Sequence, residues 1–103
     1  MNLNLKDITF VIVTYKSEEV INTCLNSLPK QSQKIIIENS KNINLANYLK
    51  KNYDNIEVII NGNIGMGASN NIGIKKSKTK YAFIINPDTK FNNDTLQNIF
   101  EAS

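Results

Sequence analysis

An α/β fold, a parallel sheet of about four strands with helices on both faces, is the architecture that this sequence predicts. Three observations carry the prediction. Four short runs rich in Ile and Val recur along the chain, the apolar residues between them fall at helical spacing, and each run ends in turn-forming or polar residues. The resulting order, β-α-β-α-β-α-β-α, requires right-handed crossovers. A chain of 103 residues with 41% apolar content has material for one such core and not for two, so a single domain over residues 1–103 is expected.

The elements follow in order. Ile8 to Thr14 (ITFVIVT) is β-branched and nearly all apolar, as in a strand buried on both faces. Ser17 then offers an N-cap, Glu18 and Glu19 suit a first helical turn, and Val20, Ile21, Cys24, Leu25 and Leu28 repeat at helical spacing until Pro29. Cys24 lies on that stripe and reads as core. Gln33 to Glu38 (QKIIIE) is a second strand. Leu45, Tyr48 and Leu49, behind Asn44 as cap, form a second helix with Tyr48 in the core. Ile56 to Ile60 (IEVII) is a third strand, Gly67 to Lys76 a third helix interrupted by Gly73, and Tyr81 to Ile85 (YAFII) a fourth strand. Leu96, Ile99 and Phe100, capped by Asn93 or Asp94, begin a fourth helix. Ending there suggests either a minimal version of the fold or the first part of a larger one.

Composition excludes several chemistries. No His and one Cys rule out zinc sites, a disulfide framework and Ser-His-Asp or Cys-His catalysis built from this chain. All 12 basic residues are Lys and the net charge is +3; without Arg for bidentate contacts, nucleic-acid binding is not expected. The cluster Lys75 to Lys80 reads as a solvated helix end, where cations suit the dipole. No apolar run approaches the roughly 20 residues of a membrane span, and the start has no signal-peptide core. The expected location is the cytoplasm, with the inner face of the membrane as its variant.

In an open parallel sheet, ligands bind in the crevice beyond the carboxyl ends of the strands. The residues there are Thr14 and Tyr15; Glu38, Asn39 and Ser40; Asn61 to Gly67; and Asn86-Pro87-Asp88. Strand ends favour turn residues in any case, so any one segment is explained as a turn. The glycine segment follows a strand and opens a helix, where backbone amides and the helix dipole hold phosphate. Gly65-Met66-Gly67 matches the start of a G-x-G-x-x-G loop, with Asn70 at the third glycine position and Asp88 at the spacing of a ribose-binding acid. Asp88, held by Pro87, also suits a hard divalent cation, because Mg²⁺ and Mn²⁺ bind through one or two carboxylates plus substrate phosphates. A plain turn with Pro at its second position is the competing reading.

Four segments in order resemble the family 2 glycosyltransferases with the GT-A fold, particularly the rhamnosyltransferase-like group. Val11-Ile12-Val13-Thr14-Tyr15 resembles the opening strand, and Ile35-Ile36-Ile37-Glu38-Asn39-Ser40 resembles V-V-V-D-N-x-S. Asn63 to Gly73 resembles N-x-G-F-x-x-x-N-N-x-G, and Asn86-Pro87-Asp88 resembles N-P-D. The resemblance implies a Rossmann-like sheet forming the N-terminal half of a GT-A fold. It implies a nucleotide-diphospho-sugar site made by Thr14, Tyr15, Glu38, Asn39, Asn63, Gly65, Asn86 and Asp88. The first residues lie around the base and ribose, Asn63 and Gly65 near the diphosphate, and Asp88 binds Mg²⁺ or Mn²⁺ where the family has D-x-D. Glu38 stands in place of Asp, Lys16 where Asn is common, and Met66 in place of Phe.

The resemblance further implies transfer of sugar to a glycan, polysaccharide or lipid-linked acceptor. It implies that the acceptor-binding half and its general base are absent here, so no catalytic residue is assigned and the chain alone is expected to be inactive. An apolar patch at the crevice edge predicts self-association. Two readings compete: a Rossmann-like nucleotide or dinucleotide module without transferase activity, and a non-catalytic interaction domain whose loops are only turns.

Overall fold

Four strands, β1 (Ile8–Thr14), β2 (Gln33–Glu38), β3 (Ile56–Ile60) and β4 (Tyr81–Ile85), pair in parallel in the order β3-β2-β1-β4. They come from a computed structural model that describes residues 5–62 and 64–92. All four strands occupy the spans that their apolar runs predict. Three helices connect them: α1 (Ile21–Asn26), α2 (Ile43–Asn52) and α3 (Met66–Lys76). The fourth predicted helix, with Leu96, Ile99 and Phe100, lies outside the described residues.

The strand order explains the two faces. The chain moves outward from β1 to β2 to β3 and then returns across the sheet to lay β4 against the other side of β1. Right-handed crossovers in opposite directions put their helices on opposite faces. Accordingly Phe10, Ile12, Ile36 and Val58 pack with Ile21, Cys24 and Leu25 of α1 and with Leu45, Ala46 and Leu49 of α2 in one cluster. The rings of Phe10 and Phe83 meet edge to face within it, with centroids 6.0 Å apart. Val13, Ile35 and Ile37 form a second, smaller cluster on the other face with Ile59 and Ile72. Every residue of β1 is buried, as a central strand covered on both sides requires, whereas the edge strands β3 and β4 are only partly covered.

Gly73, an apparent interruption in the sequence, is what lets α3 lie on the sheet. A Cβ at this position would come 2.3 Å from Cγ1 of Val11. The helix begins one residue before its expected start, at Met66.

Three local expectations are corrected. Ser17 does not cap α1, which starts at Ile21 with no side-chain cap. The Ser17 hydroxyl turns back to the Tyr15 backbone, while its carbonyl accepts from the amides of Val20 and Ile21, so residues 17–20 form a separate turn. The cap of α2 is Asn42 and not Asn44: its side chain accepts from the Leu45 amide at 2.9 Å. Tyr48, expected in the core, is 44% exposed and donates its hydroxyl to Asn22.

Candidate functional site

The register places Thr14 beside Glu38 and Glu38 beside Ile60, so the ends of β1, β2 and β3 form one level row. The order of strand addition reverses between β1 and β4, which makes the carboxyl ends of these parallel strands the switch point of the sheet. Thr14 and Tyr15 lead away from one side of that gap, and Asn86-Pro87-Asp88 from the other.

Glu38 organises the row. It is fully buried, and its two carboxylate oxygens accept four hydrogen bonds. Oε1 receives the hydroxyls of Thr14 (3.1 Å) and Ser40 (2.7 Å). Oε2 receives the amides of Ser40 (2.9 Å) and Asn42 (2.8 Å). A buried carboxylate is tolerated when its lone pairs are filled in this way and when a helix N-terminus lies ahead of it. The β2–α2 loop is thereby tied to the end of β1, and the Lys16 amide donating to Ser40 Oγ adds a second tie.

Asn39 links the sheet to α3. Its amide donates to Thr14 O at 2.8 Å, and its Nδ2 donates to Ser69 Oγ, which donates in turn to Gly65 O at 2.9 Å. Gly65 is the N-cap residue of α3 with φ +89° and ψ 154°, a backbone conformation reserved for glycine. Asn39 Oδ1, Asn61 Nδ2 and Asn70 Oδ1, at the strand ends and the first turns of α3, are buried without a hydrogen-bond partner among the described residues. Such groups are satisfied by a ligand or by water. Asn63 lies outside the described residues.

The exposed groups of the crevice come from β1 and β4. Tyr15 is 49% exposed, with Lys16 Nζ 5.4 Å from its ring centre. Asn86 and Asp88 are both exposed. Their turn closes through the Thr89 amide donating to Asn86 O at 3.0 Å, and it rests on α1, where Cys24 Sγ donates to the same carbonyl at 3.8 Å. Burial, and secondly the nearby Asp88 carboxylate, push the Cys24 thiol up to about 11. This agrees with its reading as a core residue.

The structure thus brings Thr14, Glu38 and Asn39 into one buried frame and leaves Tyr15, Gly65, Asn86 and Asp88 at its rim. Among the described residues there is no cluster of three or more His, Cys, Asp or Glu side chains. Asp88 supplies one exposed carboxylate and Asn86 one amide oxygen, a set that fits a hard cation whose remaining ligands are phosphate and water. Sequence reasoning missed Ser69, Asn42 and Lys41. Asn42 is a small polar residue at a loop end, the usual mark of an Asx turn, and Ser69 is a helix residue whose hydroxyl bonds back to the carbonyl four residues earlier. The Lys41 side chain lies over Gly62, its Cε 3.1 Å from where a Cβ would stand, which places a cation beside the β3–α3 loop.

The chain is similar to known proteins in sequence and in fold. A family model described as Glycosyl transferase family 2 matches residues 9–102. The poly(ribitol-phosphate) beta-glucosyltransferase of Bacillus spizizenii is 34% identical over 101 residues, covering 86% of this chain and 16% of that protein. The low-salt glycan biosynthesis hexosyltransferase Agl10 of Haloferax volcanii is 28% identical over 101 residues, covering 93% of this chain and 32% of its own length. In fold, the chain superimposes on the crystal structure of S. aureus TarS 1-349 with a TM-score of 0.72 at 19% identity, over 90% of this chain and 31% of that one. The chain spans less than a third of each of these proteins.

Proposed function

This chain belongs to glycosyl transferase family 2, and on that premise we propose that its crevice binds a nucleotide-diphospho-sugar together with a divalent cation. It would form the donor-binding part of an enzyme that transfers the sugar to a glycan, polysaccharide or lipid-linked acceptor. The observation that carries this reading is the pairing of exposed Tyr15 with exposed Asn86 and Asp88 across the switch point between β1 and β4.

Thr14, Tyr15, Glu38 and Asn39 surround the base and ribose. Tyr15 contributes an exposed aromatic face, and the other three hold the loops around it. Asn63, Gly65 and the free amides at the start of α3 approach the diphosphate, where the positive end of the helix dipole favours anions. Lys41 adds a point charge beside the same loop. Asp88, with the Asn86 side chain, would hold Mg²⁺ or Mn²⁺, which neutralises charge on a diphosphate leaving group. No residue is assigned as general base, and the chain alone is proposed to bind donor without transferring it. Among the described residues no helix is long and apolar enough to cross a membrane. The reading places the protein in the cytoplasm, with the inner face of the membrane as its variant, and includes self-association through exposed Ile60, Ile64 and Met66 at the crevice edge.

An NMR amide titration with UDP, dTDP and GDP sugars tests it. With Mg²⁺ present, one donor class is expected to shift Tyr15, Gly65 and Asp88, and Mn²⁺ should broaden the resonances nearest Asp88. Shifts caused only by NAD, centred on Gly65 and indifferent to metal, would replace this reading with a dinucleotide module. No response to any nucleotide would leave an interaction domain.

A further inference from the structure

The end of the sheet away from the crevice has a charge pattern that donor binding does not use. Lys50 and Lys51 close α2, Lys75 and Lys76 close α3, and Lys78 and Lys80 occupy the loop into β4. Lys6 and Lys30 precede β1 and β2, and Lys34 is the second residue of β2. In a parallel sheet with crossover helices, strand starts and helix C-termini lie at the same end. Nine lysines therefore gather there, eight of them exposed and Lys34 buried, with Asp7, Asp54 and Glu57 as the acids among the described residues. Beyond the carboxyl ends of the strands the balance reverses: Lys16, Lys41 and Lys90 stand against Glu18, Glu19, Glu38 and Asp88 among the described residues. A helix dipole explains two lysines at each helix end and leaves the loop and strand-start lysines unexplained.

The basic end is also shaped to seat anions. Lys6, Lys76 and Lys78 line an open cavity of about 380 Å³ with Thr9 and Thr79, three cations against the single carboxylate of Glu57. Lys30 and Lys34 line a second of about 210 Å³ beside Tyr53, with Asp54 as its one acid. Lys34 is almost completely buried, and that burial lowers its ammonium from the ordinary value, against the pull of Asp54. An anion in the second cavity would favour its charged form.

We propose that this basic end is a docking surface for a bilayer containing anionic phospholipid. A spread of lysine point charges with no arginine suits a diffuse negative surface better than it suits base edges or bidentate phosphate contacts. Docked this way, β1 holds the crevice roughly 20 Å from the lipid surface, open to soluble donor. The inference does not depend on the donor reading, because none of these lysines lies at the crevice.

Vesicle sedimentation of the chain separates the outcomes. Binding is expected to phosphatidylcholine vesicles containing a quarter phosphatidylglycerol, to be absent with phosphatidylcholine alone, and to fall as salt rises. Each lysine facing the surface contributes about fivefold to partitioning, so Lys76→Gln with Lys78→Gln should lower it about thirtyfold. Lys16→Gln with Lys41→Gln, the same loss of charge at the other end, should leave lipid binding unchanged; circular dichroism establishes that both variants fold. Equal losses in the two variants would reduce the effect to net charge and overturn the proposal. So would indifference to the vesicles with tight binding to polyphosphate or RNA, which would make the partner a free polyanion.

Discussion

Two acids end neighbouring segments of the same crevice and are treated in opposite ways. Glu38, at the end of β2, is fully buried with four donors on its two oxygens. Asp88, just beyond β4, is exposed, and its turn is held through backbone groups. The difference teaches that a strand-end carboxylate can be spent on building a crevice or kept for what enters it. Position along the strand does not decide which. β2 is flanked on both sides, so polar neighbours close over its end, whereas β4 has one neighbouring strand among the described residues.

The largest effects expected from this comparison come from exchanging the two acids' surroundings. Glu38→Ala leaves two half-buried amides and two hydroxyls without their acceptor, and urea unfolding should show a loss of about 2–4 kcal/mol. Glu38→Gln should lose only about 1 kcal/mol, because its amide oxygen can keep the two backbone donors while the hydroxyls of Thr14 and Ser40 rotate to accept from its nitrogen. Asp88→Ala should leave the urea midpoint in place and abolish the metal dependence of the donor titration. If Glu38→Gln instead removed donor binding at unchanged stability, the buried carboxylate would be a ligand contact and the contrast would collapse.

A smaller effect tests the second support of the crevice, the seating of α3. Gly73→Ala drives a methyl into the stiff β-branched side chain of Val11 and should cost about 1–3 kcal/mol. Gly67→Ala, in the same helix with nothing within 4 Å, should gain up to about 1 kcal/mol. Urea unfolding of the pair separates close packing from helix propensity. Equal effects would mean that α3 does not press on β1.

The smallest effect reports on Asp88 through its neighbour. Cys24 has its thiol raised from 9.0 to about 11, by burial first and by Asp88 second. The folded state therefore holds this proton longer than the unfolded chain. Stability from this group is undiminished below pH 9 and falls as pH rises from about 9 toward 11. Alkylation of Cys24 followed against pH should give a lower apparent value in Asp88→Asn, since a negative charge that opposes the thiolate is gone. An unchanged profile would separate Asp88 from Cys24.

Much of this architecture was legible from residue order. The bounds of all four strands follow from apolar β-branched runs, and the crevice residues follow from polar segments at their carboxyl ends. The caps were less legible for a specific reason. Asn42 and Asn44 offer the same side chain two residues apart, and the choice falls to Asn42, whose amide donates to Glu38. Ser17 has the chemistry of an N-cap, but its hydroxyl is taken by the Tyr15 backbone. Tyr48 has core spacing, yet finds a hydrogen-bond partner in Asn22 at the surface.

The sequence by itself determined which segments are strands, which intervals cross over as helices, and which polar groups stand at the strand ends. These are local properties, since hydrophobic period and turn chemistry act within a few residues. Only the tertiary structure decided that β4 returns to the side of β1, that Gly73 is a contact point, and that Glu38 faces inward while Asp88 faces solvent. Those outcomes depend on groups distant in sequence, such as Thr14 with Glu38 and Val11 with Gly73, whose pairing exists only once the parallel sheet has brought them together.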